Sequence, residues 1–330
     1  MKKRRLWIGV AMVIAFAALP LAAENQKDDV DTIGSRKVAH RSIISEQKEI
    51  AIGKQYSEQV DRQSKLVTDP VVTEYVNRVA QNIARNSDLK IPLTVKVIDD
   101  PSINAFALPG GFLYVNTGVI QHADEESQLA GVIAHEIGHV AARHWASMMT
   151  KQTLLQFAMI PLMFTPMSIG AYYGLSAAMN GLPIIFLKFT QQQEAEADFL
   201  GLEYMYKAGY DPESYVTFFG KVSEMERHSP GSVPDIFMDH PPTPDRIINC
   251  EKEIKSILPK KPEYLVSTSE FNDMKARMTT VLVAQNRQRP GAPTLDKRKG
   301  SSGKTTGGAP TADDGSDQPP VLKRRDGSDQ

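Results

Sequence analysis

The chain of 330 residues is 41% hydrophobic and 23% charged, with 22 Gly and 21 Pro. That composition belongs to a globular protein of one or two domains and excludes collagen, whole-chain disorder and a disulfide-stapled mini-protein. A formal net charge of -1 shows none of the basic excess of a nucleic-acid binder. The lone cysteine, Cys250, rules out an intrachain disulfide and a cysteine zinc site. Any bound metal must be held by histidines and carboxylates.

Lys2-Lys3-Arg4-Arg5 precedes an uncharged apolar run from Leu6 to Ala23 that exits through small residues into Glu24-Asn25-Gln26-Lys27. A basic start, an apolar middle and a small-residue exit read as a secretory signal peptide over 1–23, cleaved after Ala23. An uncleaved anchor is the alternative, because the run is near the lower length limit for spanning a bilayer. Export and a single thiol fit the bacterial periplasm. Residues 24–44 lack periodicity and read as a linker.

A helix follows from Ser45, and a second amphipathic one after Asp69-Pro70, with Val72, Tyr75, Val76, Val79 and Ile83 at three-to-four spacing. Alternation over Leu93–Ile98 predicts a strand closed by Asp99-Asp100-Pro101. Asn104–Leu108 and Phe112–Val115 flank the turn Pro109-Gly110-Gly111. The expectation is an α+β, mainly helical domain over 45–286 with a small antiparallel sheet. Asp124-Glu125-Glu126 opens a long helix through Ile137 and Ala141. Between Gln152 and Leu187 no residue is charged, yet prolines and glycines interrupt any run of the roughly 20 residues needed to span a membrane. A buried or cleft-covering helical hairpin is one reading of 152–187, and a membrane-facing segment the other. A helix over Thr190–Lys207 ends at Gly209. From 287 to 330 the chain is rich in Gly, Ser, Pro and Asp and reads as a disordered tail.

His135-Glu136-Ile137-Gly138-His139 lies within the long helix. Positions 135 and 139 share one face, about 6 Å apart at Cβ, and suit adjacent vertices of a zinc tetrahedron. Glu136 sits about 100° round the helix, beside the open coordination position, as a general base. A third ligand comes from Glu194-Ala195-Glu196-Ala197-Asp198, where Glu194 and Asp198 share a face. One of these carboxylates binds metal while the other takes the outer nitrogen of a ligand histidine. Glu196 points away, toward solvent or a salt bridge. His144 is half a turn off the face of His135 and reads as structural or surface. His40, His122 and His228 have no partner pattern. His240 and Arg246 stand on a proline-laden loop suited to presenting functional groups.

These motifs together resemble the HtpX/BepA-like zinc metalloendopeptidases, a gluzincin group, over roughly residues 45–285. The matching segments are His135–His139, Glu194–Asp198, His240-Pro241 through Arg246, and Asn104-Ala105-Phe106-Ala107 before the Gly110-Gly111 turn. The resemblance implies a zincin-type fold and one Zn²⁺ per chain on His135, His139 and Glu194, with Glu136 as base and Asp198 behind a ligand histidine. It also implies that His240 and Arg246 lie over the cleft and that Asn104, Ala105, Phe106 and Ala107 pair with substrate. The resemblance points to the periplasmic BepA-like branch, and residues 287–330 are expected to be a disordered tail in place of that branch's C-terminal helical-repeat domain. Misfolded or misassembled envelope polypeptides are the implied substrates. A zinc-bound chaperone or assembly factor with little proteolysis is the rival reading. His240 is read either as an inhibitory fourth ligand or as a transition-state donor.

Overall fold

The computed structural model describes residues 29–159, 188–228, 240 and 244–287. The candidate signal segment 1–23, all of 160–187, the residues flanking His240 and the C-terminal tail lie outside them. The described chain runs α1 (Glu46–Gln63), α2 (Pro70–Arg85), β1 (Thr94–Ile98), β2 (Ala105–Leu108), β3 (Phe112–Asn116), α3 (Thr117–His122), α4 (Glu126–Ala141) and α5 (His144–Met159). Then come α6 (Gln191–Ala208), α7 (Glu213–His228), α8 (Pro244–Ile257) and α9 (Ser269–Arg287). It is an α+β, mainly helical fold.

Local chemistry sets most boundaries. Ser45 and Asp69 accept backbone N–H groups at the starts of α1 and α2, and Pro70 takes the first turn of α2, where no N–H is needed. Thr190 and Gln193 close a reciprocal capping box on α6, and Gly209, at φ 92°, ends it in the left-handed conformation.

The sheet is mixed, with the order β1–β3–β2. β2 and β3 form the expected antiparallel hairpin, but β1 pairs parallel with β3, from Thr94 opposite Phe112 to Ile98 opposite Asn116. This corrects the antiparallel expectation. Residues 99–104 carry the chain past the position of β3 to the far edge, so β3 returns between the other two strands and runs alongside β1. Asp100 pins this crossing, its carbonyl accepting from the Gly118 N–H and the Thr117 hydroxyl.

Every residue of α4 is buried, as expected of a helix surrounded by the core. It packs against α2, β2, α6 and α7. The tightest approach is to α6. A Cβ on Gly138 would stand 2.9 Å from the Ala197 carbonyl oxygen, and one on Gly201 would stand 3.1 Å from the His135 nitrogen. The small residues of the second motif thus bring the two backbones together. Asn104 precedes β2; its carbonyl accepts the Asn116 N–H.

Residues 29–44 are no free linker. Val30, Arg36, Val38 and Ile44 are buried. Arg36 donates from Nε to Asp88 at 2.7 Å and from Nη1 to Glu203 of α6 at 3.1 Å. A segment without periodicity can still be anchored by one buried charge, which periodicity does not report. The described part of the uncharged stretch, residues 152–159, continues α5 with Leu154, Leu155 and Phe157 exposed. No helix among the described residues is long and apolar enough to cross a membrane.

If the Arg36 contacts fasten the N-terminal segment, R36A strands Asp88 and Glu203 as buried anions. Loss of one partner of such a network costs about 3–5 kcal/mol. Denaturant unfolding should show a loss of that size; a change within about 0.5 kcal/mol, typical of surface substitutions, would return the segment to linker status.

Candidate metal centre

Helical periodicity and the α4–α6 contact assemble the site. His135 and His139, one turn apart on α4, bring their Nε2 atoms to 3.1 Å. Glu194, in the first turn of α6, places Oε2 3.5 Å from His135 Nε2 and Oε1 3.6 Å from His139 Nε2. His240 adds its Nδ1 at 3.4 Å from His135 Nε2 and 2.9 Å from Glu194 Oε1. For ligand bonds of 2.0–2.1 Å, the edge of a tetrahedron is roughly 3.3 Å. The donor separations scatter about that edge, and all four residues are buried.

The charge balance agrees. Glu136, Glu194 and Asp198 are at most 3% exposed, and Arg246 is the cation among them. Three buried carboxylates beside one guanidinium favour a further divalent cation. Glu136 Oε1 and Glu194 Oε2 are buried without a hydrogen bond, although Arg246 Nη1 lies 3.1 Å from the latter. The residues therefore fit a divalent metal ion, which His135, His139 and Glu194 would hold.

The electrostatics separate the roles. Burial lowers the pKa of His139 well below its ordinary value, assisted by the neighbouring His135, which keeps the imidazole neutral and its lone pair available. Burial opposes charge on His135 as well, but Asp198 and Glu194 outweigh it and raise that ring to about 9. Burial pushes Glu136 above the carboxylate range, the direction a general base needs. For Glu194 and Asp198 burial acts upward too, yet histidine contacts on the first and Arg246 on the second hold both carboxylates below that range.

Asp198 Oδ1 lies 3.0 Å from His135 Nδ1, where a carboxylate behind a ligand histidine belongs. Tyr215 of α7 completes that corner. Its hydroxyl donates to Asp198 and stands 3.0 Å from His135 Nδ1. In the sequence Tyr215 is one more aromatic on an amphipathic helix, and no local signal marks it. Phe189 is equally unmarked, and its ring stacks on His139 with centroids 4.0 Å apart.

Arg246 departs from expectation. It stands in the first turn of α8, not on a loop, and grips Asp198 through Nε and Nη2, both at 2.7 Å, while Nη1 donates to the His240 carbonyl at 3.2 Å and lies 3.1 Å from Glu194 Oε2. A guanidinium 9% exposed must be paired, so it braces Asp198, Glu194 and His240 together.

The candidate substrate strand comes close to the base. Ala107 donates its N–H to Glu136 Oε2 at 3.0 Å. The β2–β3 register, with the Asn116 N–H on the Asn104 carbonyl, turns the backbone groups of Ala105 and Ala107 to the free edge of the sheet. Phe106 stacks on Tyr114, centroids 5.1 Å apart. Asn104 Oδ1 is buried without a hydrogen bond.

His144, read as structural or surface, is fully buried and places Nδ1 2.9 Å from His139 Nδ1. The half-turn argument fails because the helix breaks. Arg143 adopts φ 55°, uncommon for a residue other than glycine, and the chain restarts as α5. Arg143 is held there by Glu49, 2.9 Å from its Nε, and by the Ile44 carbonyl, 2.7 Å from its Nη2. Glu196 turns from open solvent to two imidazoles, its Oε2 lying 2.6 Å from His40 Nε2 and 3.3 Å from His144 Nε2.

Comparison with known proteins agrees with this geometry. Residues 70–254 match Peptidase family M48. The chain is 29% identical over 277 residues to the beta-barrel assembly-enhancing protease of Escherichia coli, covering 81% of this chain and 56% of that protein. It is 34% identical over 149 residues to the mitochondrial metalloendopeptidase OMA1 of Arabidopsis thaliana, covering 44% of this chain and 28% of that one. Against the OMA1 enzyme of Schizosaccharomyces pombe identity is 33% over 186 residues, 54% of this chain and 52% of the relative. The chain thus spans little more than half the length of the Escherichia coli relative. A family match over more than half the chain, on a fold whose α4 carries His135-Glu136-x-x-His139, establishes that this protein belongs to peptidase family M48.

Proposed function

We propose that the chain is a zinc-dependent endopeptidase of the bacterial cell envelope, with residues 45–286 as its catalytic domain. The observation that carries this reading is the near-tetrahedral donor set of His135, His139, Glu194 and His240 beside the buried Glu136. When bound, zinc acts as a Lewis acid and brings the pKa of a coordinated water toward about 7.

The chain's own groups supply the rest. Glu136 Oε1, which accepts no hydrogen bond and has His240 Nε2 3.7 Å away, accepts the proton of the attacking water and returns it to the leaving nitrogen. An extended peptide adds to the edge of β2 through the backbone of Ala105 and Ala107. For that pairing the Ala107 N–H passes from Glu136 Oε2 to the peptide, so substrate docking and release of the base are one event. Main-chain recognition gives loose sequence preference, which suits misfolded or misassembled envelope proteins as substrates. Similarity to the beta-barrel assembly-enhancing protease of Escherichia coli supports envelope proteins as substrates, and the signal-like residues 1–23 support periplasmic placement. The exposed Leu154, Leu155 and Phe157 of α5 support a membrane contact through 152–187.

His240 closes the site in this reading. Its Nδ1 stands where a fourth ligand would, 2.9 Å from Glu194 Oε1, so the imidazole acts as a reversible latch. A latched site also gives the chaperone reading its support, because such a chain would grip clients and cut little.

Two variants separate these readings. E136Q should keep one zinc and lose cleavage of an unfolded substrate such as casein. If E136Q instead complements a deletion strain fully, proteolysis is not the function and the chaperone reading stands. H240A should raise basal proteolysis and self-cleavage relative to the unaltered chain. A drop of roughly 10²–10³-fold with zinc retained would make His240 an oxyanion donor and remove the latch.

A further inference from the structure

The two ligand histidines have different supports. His135 is backed by Asp198 and Tyr215, which end on the buried Arg246. His139 is backed by another imidazole. His144 Nδ1 is 2.9 Å from His139 Nδ1, His144 Nε2 is 3.3 Å from Glu196 Oε2, and His40 Nε2 is 2.6 Å from the same oxygen. The side chain of His144 is fully buried, that of Glu196 is 20% exposed and that of His40 is 39% exposed. The chain of contacts therefore runs from the centre to the surface.

We propose that His144 and Glu196 are positioning residues for His139, fixing its tautomer and ring orientation for metal through a relay that ends on the Glu196 carboxylate, where His40 also donates. The proton assignment follows from the network. His139 turns Nε2 to the donor cluster, so its one proton sits on Nδ1 and faces His144 Nδ1. That nitrogen must accept, which puts the proton of His144 on Nε2, facing Glu196. Glu196 is the terminal acceptor, and His40 donates to it as well. A neutral imidazole is a poor final acceptor, but one that passes its own proton to a carboxylate does the work of the carboxylate usually found behind a ligand histidine.

The fold holds this arrangement from two sides. The left-handed Arg143 turns His144 back onto His139, and the His40 N–H donates to the Ala142 carbonyl at 2.9 Å, fastening the N-terminal segment at the same corner. The trio His40, His144 and Glu196 also satisfies the spacing of a separate metal site. Yet while His139 serves the first cluster, His144 would have to surrender both ring protons to bind a second ion. The relay and a second metal are mutually exclusive.

This inference rests on the reading of His139 as a metal ligand, and the test keeps the two apart. Zinc affinity of the full-length chain is measured by competition with a chromophoric chelator, and melting is recorded with chelator in excess. H144F should weaken zinc binding by roughly 10–100-fold, the usual loss for an outer partner of a ligand, and E196Q should weaken it by a smaller factor. H144N, whose amide oxygen can stand where Nδ1 does, should recover part of the loss. Melting of the chelated E196Q protein should match that of the unaltered chain, which a merely structural role would not allow. Unchanged affinity in both H144F and E196Q overturns the relay. Two zinc ions per unaltered chain, one of them lost in H40A, overturn it in favour of a second metal site. Failure of the unaltered chain to bind zinc overturns the parent reading and the relay together.

Discussion

Everything at the centre depends on two helices coming within backbone contact. His and Glu side chains reach only a few ångströms from their Cα atoms, so His135 and Glu194 share a donor cluster only if α4 and α6 nearly touch. Gly138 faces Ala197, and Gly201 faces the backbone of His135. A larger residue at any of these points forces the helices apart, and overpacking of that kind costs about 1–3 kcal/mol. The consequence for the site would be greater than for the fold, since a displacement tolerable to a core is not tolerable to a tetrahedron. The pattern Glu194-Ala195-Glu196-Ala197-Asp198 thus has two jobs: alternate residues carry the charges, and the alanines let them arrive.

What the sequence revealed and what it concealed divide along the range of the interactions. The i, i+4 spacing of His135 and His139, and of Glu194 and Asp198, survives folding because both pairs sit within unbroken helices. Tyr215 and Phe189 reach the site from other elements, and residue spacing carries no record of that. The parallel pairing of β1 was hidden for a related reason, since alternation fixes a strand's faces but not its neighbours. His144 is the instructive case. Helical spacing from His135 assigns it a face only if the helix continues, and Arg143 ends the helix in a left-handed conformation that no propensity favours.

That strain has an identifiable source. A non-glycine residue in the left-handed region costs on the order of 1 kcal/mol, and Arg143 recovers it through Glu49 and the Ile44 carbonyl. Both partners belong to the N-terminal part of the described chain, as do His40 and Arg36. Residues 29–44, together with Glu49 of α1, therefore hold the turn after α4, and through it the imidazole behind His139. A stretch with no periodicity influences the centre because it brings hydrogen-bond partners to the one place where the long helix is broken.

The buried charges give this arrangement its direction. Glu194 and Asp198 are held ionised, although burial alone would neutralise them. Arg246 balances part of that charge, and its two bonds to Asp198 fix the planar guanidinium in a single orientation. The remaining negative potential falls on His135, which it raises to about 9 against the effect of burial. His139, one turn away and farther from Asp198, moves the opposite way. The site therefore attracts positive charge most strongly at the His135–Glu194 corner and offers a ready neutral lone pair at His139. A divalent cation satisfies both at once, which a proton on one ring cannot do. The fixed carboxylates favour the ion by charge and the close-packed helices select it by distance, so neither the acidic motif nor the histidine pair would suffice without the other.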